Sequence, residues 1–301
     1  MNAQRSLELA PEFSARLLRD VPMDKRTSWH AGGCADYLFT PRDIMDLASF
    51  VRQLPAEVPL LVIGLGSNLL VRDGGIRGVV VATHGALGAL ERHSATRIRV
   101  EAGVPCARIA RQCVKWGLGP AEFLAGIPGT LGGALAMNAG AWGEETWAHV
   151  IDVEVLDRRG ARHTRTPADY KIGYRQVIGP ENECFIGARL EFERKPGANS
   201  EAIRELLDKR RATQPIGEWS CGSVFTNPPG DHAARLIEAA GLKGFRIGDA
   251  AVSQKHANFI INHGAASATD IEAVIRHIQK TVAAVQGVEL HTEVRIVGDP
   301  L

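Results

Sequence analysis

At 301 residues, with 45% apolar and 23% charged side chains, the chain is long enough for two or three compact domains of ordinary globular composition. A formal net charge of +1 gives no electrostatic reason to expect nucleic acid or an anionic membrane as a partner. No apolar run approaches the length of a membrane span.

The opening stretch, MNAQRSLELAPEFSARLL, reads as a short amphipathic helix and lacks the apolar core and small-residue cleavage site of a signal peptide. Apolar runs bounded by turn residues predict strands over 60–63, 79–82, 98–102, 150–156 and 185–192. Helices are expected over 44–54, opened by Pro41 and Asp43, and over 107–116, which Gly117 ends. Residues 157–165 read as a hairpin turning at Gly160, its arginines forming a solvated surface rather than an anion site. KPGANS, at 195–200, is a break, followed by a helix over 200–211 and Gln214-Pro215. Beyond it come a strand or loop at 220–227, a helix at 232–240, a strand at 258–261, a long helix at 269–285 and a last strand at 289–297. The change in composition puts a domain boundary near residue 210. Five cysteines (Cys34, Cys106, Cys113, Cys184, Cys221) match no zinc or disulfide spacing, so they read as reduced thiols of a cytoplasmic protein, with no metal site.

The 32 glycines are clustered. GLGSNLLV, at 64–71, directly follows a predicted strand. Gly64 and Gly66 let the backbone turn tightly and approach a ligand, successive amides can form an anion-binding concavity, and Ser67 and Asn68 add donors. A tight turn explains the same string, and the dinucleotide fingerprint of doubly wound folds is not met. GIPGTLGGALAMNAGAWG, at 126–143, has six glycines, with small residues between them. Close approach of backbone to a flat or charged ligand accounts for it, with a glycine-packed helix crossing as the alternative. Two such loops, without the lysine of a P-loop, favour a dinucleotide over a mononucleotide.

These loops, together with YRQ at 174–176, SCGSVFTNP at 220–228, LIEAAGLKG at 236–244, VSQKHANFIIN at 252–262 and EVRIVG at 293–298, resemble the UDP-N-acetylenolpyruvoylglucosamine reductase family. The resemblance runs from about Thr27 to Gly298 and is closest to the shorter, type II branch. It departs at Arg26, where the family usually has asparagine. It implies an α+β fold: a two-lobed FAD-binding domain of the vanillyl-alcohol-oxidase-like (PCMH) type, over 1–85 and 86–210, and a smaller C-terminal α+β substrate-binding domain over 211–301.

It also implies non-covalent FAD, NADPH as reductant, and a UDP-sugar whose enolpyruvyl group is reduced. The loops contain no histidine for a tether, and His30 and His84 read as ordinary positions. The implied cofactor residues are Gly64, Leu65, Gly66, Ser67, Asn68 and Leu69 in the first loop. In the second they are Gly126, Ile127, Pro128, Gly129, Thr130 and Gly133, with Asn138 and Gly140 further along. The implied catalytic residues are Arg175, facing the substrate carboxylate, Glu293 beside it with a raised pKa, and Ser223 as proton donor to carbon. Tyr174, Arg211, Asn227 and His256 are the implied substrate contacts, and Lys243 is a further candidate from its loop context. Taken alone, Arg175 reads as a surface arginine, Glu293 as an outward polar residue of a strand, and Ser223 as a turn serine after Gly222. Two other functions remain open at this point: a sugar or alcohol oxidase of the same superfamily, and a non-catalytic binder of flavin or UDP-sugar. A monomer acting on small molecules is expected.

Overall fold

The computed structural model describes residues 10–301. Residues 1–9 of the expected N-terminal helix lie outside them, and the described remainder differs from that expectation. Pro11–Ser14 makes one helical turn and Leu17–Pro22 is a strand. Pairing with Cys34–Phe39, which sets Leu17 opposite Phe39, overrides the local amphipathic pattern.

The first sheet runs Leu17–Pro22, Cys34–Phe39, Ile76–Ala82, Leu60–Ile63, with the last three strands mutually parallel. Residues 79–82 are buried throughout, as a central parallel strand covered on both faces requires. Val79 and Val81 meet the helix Ile44–Gln53, where Phe39 and Phe50 stack at 3.8 Å. The Asp43 side chain caps that helix by accepting from the Asp46 amide at 2.8 Å. Val80 and Ala82 face the other way, into a cluster with Met23, Ala35 and Leu38.

The second sheet is antiparallel, in the order Arg162–Arg165, Val150–Asp157, Glu183–Glu191, Arg97–Glu101, Leu90–Arg92. Alternation assigns its faces. Ile98, Val100, Val153, Ala188 and Leu190 enter a core with residues of the helices Cys106–Lys115 and Leu131–Met137. Between them Arg99 binds Glu154 at 2.9 Å and Arg189 binds Asp152 at 2.9 Å on the opposite face. Leu156 and Ile186 join the cluster around Phe50 and so weld the two sheets together.

After the helix Ser200–Thr213, a three-stranded sheet (Arg246–Ile247, Ala250–Val252, Ile260–Asn262) packs on the helices Ala233–Ala239 and Ala268–Gln286. A reciprocal capping box between Ser267 and Asp270 starts the long helix, and Gly287 ends it at φ 67°. Residues 220–227, read as a strand or loop, are a loop with an isolated bridge at Phe225. One expectation shifts here. The last strand shortens to Arg295–Val297 and pairs in parallel with Leu69–Val71, far back in the chain. The C-terminal core likewise takes in Trp29 and Leu70, and Trp29 Nε1 donates to Ile260 O at 2.8 Å. No helix of the described residues is long and apolar enough to cross a membrane. None of the five cysteines is in a disulfide.

Candidate active site

A cavity of about 890 Å³ opens between the two sheets and the C-terminal elements, a size that suits a large organic ligand. Both glycine loops wall it, and they touch. A Cβ on Gly64 would sit 2.2 Å from Thr130 Oγ1, and one on Gly129 would sit 3.3 Å from Ser67 Oγ. At Gly64 only glycine leaves room for the Thr130 side chain. Gly66, at φ 63°, has the carbonyl of Arg26 where a Cβ would go. A Cβ on Gly133, by contrast, would meet nothing within 4 Å, because Gly133 faces the cavity.

Three features fit a diphosphate-bearing cofactor here. The amides of Gly66, Ser67 and Asn68 donate to no protein acceptor among the described residues. Thr130 Oγ1 is buried with no partner. Where the two glycine loops form the wall, backbone at Gly64, Gly66, Gly129 and Gly133 lets a ligand come close. Among the described residues no cluster of His, Cys, Asp and Glu could hold a metal.

At one end of the cavity Arg175, Ser223 and Glu293 share the wall. Arg175 occupies the tip of the hairpin Lys171–Gly173/Gln176–Ile178, at φ 54°, a strained backbone for a non-glycine residue. Its Nη1 donates to Asn138 O at 3.2 Å and its Nη2 to Gly140 O at 2.9 Å. Its Nε lies 3.3 Å from Glu293 Oε1, but off the N–H line, so that buried proton has no hydrogen-bond acceptor. Burial raises the pKa of Glu293, and Arg175 only partly offsets this. Glu293 is fixed through its backbone: its amide donates to Val224 O at 2.8 Å, next to Ser223, and its carbonyl accepts from Asn68 Nδ2 at 3.0 Å. Gly222, at φ 75°, turns Ser223 into the cavity wall.

Asn68 lines the cavity, and its side chain is bonded to Glu293 O and Met137 Sδ, so it also braces the segment that carries Glu293. Several other expected residues stand elsewhere. Asn138 is buried and absent from the wall, its amide group bonded to Glu145, Gly173 and Trp147. None of the five expected substrate contacts lines the cavity. Tyr174 is exposed beneath the Arg175 guanidinium. Arg211 is paired with Asp208 on the surface, and Lys243 with Glu238. Asn227 accepts from the Ala233 amide at the start of a helix. His256 packs on Phe259, and burial lowers its pKa. Cys221 packs under the first loop, its thiol directed at Leu69 O and pushed up to about 12 by burial.

Sequence reasoning passed over Arg210. It lines the cavity, donates to Gly126 O at 2.9 Å and to Gln214 Oε1 at 2.7 Å, and is itself largely buried, which lowers its pKa. The available signal was its spacing of two helical turns from buried Ile203, which puts Arg210, not Arg211, on the inner face.

The fold and this cavity define a flavoprotein: residues 35–165 match the FAD binding domain family. Residues 214–297 match the C-terminal domain of UDP-N-acetylenolpyruvoylglucosamine reductase. The UDP-N-acetylenolpyruvoylglucosamine reductase of Alkalilimnicola ehrlichii is 56% identical over 281 residues, covering 92% of this chain and 93% of its own. That of Methylococcus capsulatus is 53% identical over 283 residues, covering 94% and 93%. The crystal structure of the Thermus caldophilus reductase aligns with a TM-score of 0.79 at 33% identity, covering 93% of this chain and 98% of that one. The chain belongs to the UDP-N-acetylenolpyruvoylglucosamine reductase family.

Proposed function

We propose that this protein reduces UDP-N-acetylenolpyruvoylglucosamine to UDP-N-acetylmuramate, a peptidoglycan precursor, with NADPH as reductant and non-covalently held FAD. The observation that carries this reading is the pair Arg175–Glu293 at 3.3 Å, sharing a cavity wall with Ser223 and two glycine loops, in a chain so similar to the named reductases. Bound FAD supplies a two-electron relay between NADPH and the enolpyruvyl group, which take turns in one cleft.

Gly64, Gly66, Ser67, Gly129, Thr130 and Gly133 would hold its diphosphate region through backbone amides and the Thr130 hydroxyl. Neither His30, which is exposed and packs on Trp219, nor His84 lines the cavity, which agrees with a cofactor held without a tether. Arg175 binds the substrate carboxylate, giving its unsatisfied Nε proton an acceptor, and its fixed charge stabilises the negative charge that develops there. Glu293, kept toward its neutral form by burial, donates a hydrogen bond to the same carboxylate. The Ser223 hydroxyl delivers the proton to the α-carbon. Arg210 adds a second buried cation at the wall.

The same reading takes 1–85, 86–210 and 211–301 as the structural units and the protein as a cytoplasmic monomer. Sizing by light scattering tests the last point. For the reaction, the flavin of the anaerobic holoenzyme is bleached with NADPH and the enolpyruvyl UDP-sugar is then added. Rapid reoxidation is expected, and Ser223→Ala should keep the first half-reaction and lose the second. Reoxidation by oxygen but not by the sugar would indicate an oxidase and overturn the proposal.

A further inference from the structure

The hairpin that carries Arg175 has only two short strands, and an isolated two-stranded hairpin is marginally stable by itself. Something must fix its tip, and the bonds converge on Asn138. Its Nδ2 donates to Gly173 O at 3.2 Å, the last strand residue before the tip, and to Glu145 Oε2 at 2.8 Å. Its Oδ1 accepts from the amide of Trp147 at 3.1 Å, a residue of the central core. Its backbone carbonyl accepts directly from Arg175 Nη1 at 3.2 Å. One residue thus ties the hairpin and the guanidinium to the core.

The backbone agrees. Asn138 ends the helix Leu131–Met137 in the left-handed conformation, at φ 47°, which asparagine tolerates better than other side chains. The turn it makes aims its carbonyl at Arg175. Arg175, at φ 54°, is itself in the left-handed region, and the two residues are hydrogen-bonded to each other, as expected where surrounding structure holds strain for a site. Asn138 is 1% exposed and its side-chain amide is already bonded on both atoms, so it acts on the protein and not on a ligand.

We infer that Asn138 is a positioning residue for the reduction of the enolpyruvyl substrate, setting the place and orientation of the Arg175 guanidinium. The inference rests on the role of Arg175 given above. It predicts a loss confined to the step in which Arg175 meets the substrate carboxylate. Asn138→Gly keeps the left-handed backbone and the carbonyl but removes the side-chain clamp.

In the full-length holoenzyme this variant should retain the wild-type flavin absorbance spectrum and the wild-type rate of flavin reduction by NADPH. Reoxidation by the enolpyruvyl UDP-sugar should slow by roughly 10- to 100-fold, the cost of a misplaced catalytic group. In an Arg175→Ala background the same substitution should add nothing, because the residue it positions is gone. Asn138→Asp serves if the glycine variant does not fold. It has the same shape and backbone tolerance but cannot donate to Gly173 O or to the Glu145 carboxylate, and the same pattern is expected. Full reoxidation rates in either folded variant, equal loss of both half-reactions, or a further loss on top of Arg175→Ala would each overturn the inference. Full activity of Arg175→Ala alone would overturn the role of Arg175 instead, which keeps the two failures distinct.

Discussion

Thr130→Val separates what the protein needs from what its cofactor needs. Thr130 Oγ1 is buried with no protein partner and lies against the backbone of Gly64. Without a ligand, that hydroxyl has lost water and gained nothing, a penalty of about 1–3 kcal/mol. Valine has nearly the same shape and no such group, so the apoprotein should gain up to that amount in urea unfolding. In the proposed holoenzyme the hydroxyl would face a charged diphosphate, and a hydrogen bond to a charged group is worth about 1.5–3 kcal/mol. Its loss should weaken FAD binding by roughly 10- to 150-fold, read by titrating apoprotein with FAD and following flavin fluorescence. The signs are opposite: a sturdier apoprotein and a leakier holoenzyme. A less stable apoprotein, or an unchanged FAD affinity, would refute the placing of the diphosphate between the two loops.

Glu293→Gln should leave flavin reduction by NADPH intact and slow the second half-reaction. Because burial raises the Glu293 pKa, the wild-type second half-reaction should fall as pH climbs through that raised value, and the glutamine variant should lack this limb. The same shift weakens the fold as pH rises from the ordinary carboxylate value of 4.5 through the raised one, since the buried charge is costly, so the glutamine variant should be the more stable at alkaline pH. Trp29→Ala should destabilise the protein by about 3–5 kcal/mol in denaturant unfolding, since Trp29 is fully buried in the shared core and bonded to Ile260. For Asp46, burial pushes its carboxyl up, but hydrogen bonds from Arg16 and Arg42 prevail and hold it at about 2. Its contribution is therefore present above the usual value of 3.8 and lost as pH falls toward 2. Asp46→Asn should lower the melting temperature at neutral pH and flatten its decline in that acid window.

Local signals made much of the fold legible. Asp43 announces a helix start, the apolar run at 79–82 a buried strand, and the stretch 269–285 a long helix, and each stands close to where those patterns put it. The close backbone approach at the glycine loops was legible because that constraint is local. What failed depended on distant partners. Leu17 and Leu18, which read as the end of a helix, start a strand instead because Cys34–Phe39 pairs with it. The last strand shrinks to the three residues that find Leu69–Val71. Arg210 and Arg211 are neighbours in sequence, but a helix turns one inward and the other to solvent. Asn138 reads as one more polar residue in a small-residue loop, because the hairpin it holds begins more than thirty residues later.

The bond from Asn68 to the Glu293 carbonyl spans 225 residues of chain. On a ribosome adding about 5–20 residues per second, the first glycine loop waits roughly 10–45 s for the acid it supports. The strand that follows this loop, Leu69–Val71, pairs with Arg295–Val297, and Cys221 packs beneath the loop, so its supports are complete only when the last residues have been made. The first glycine loop and Glu293 therefore reach their final places together, at the end of synthesis.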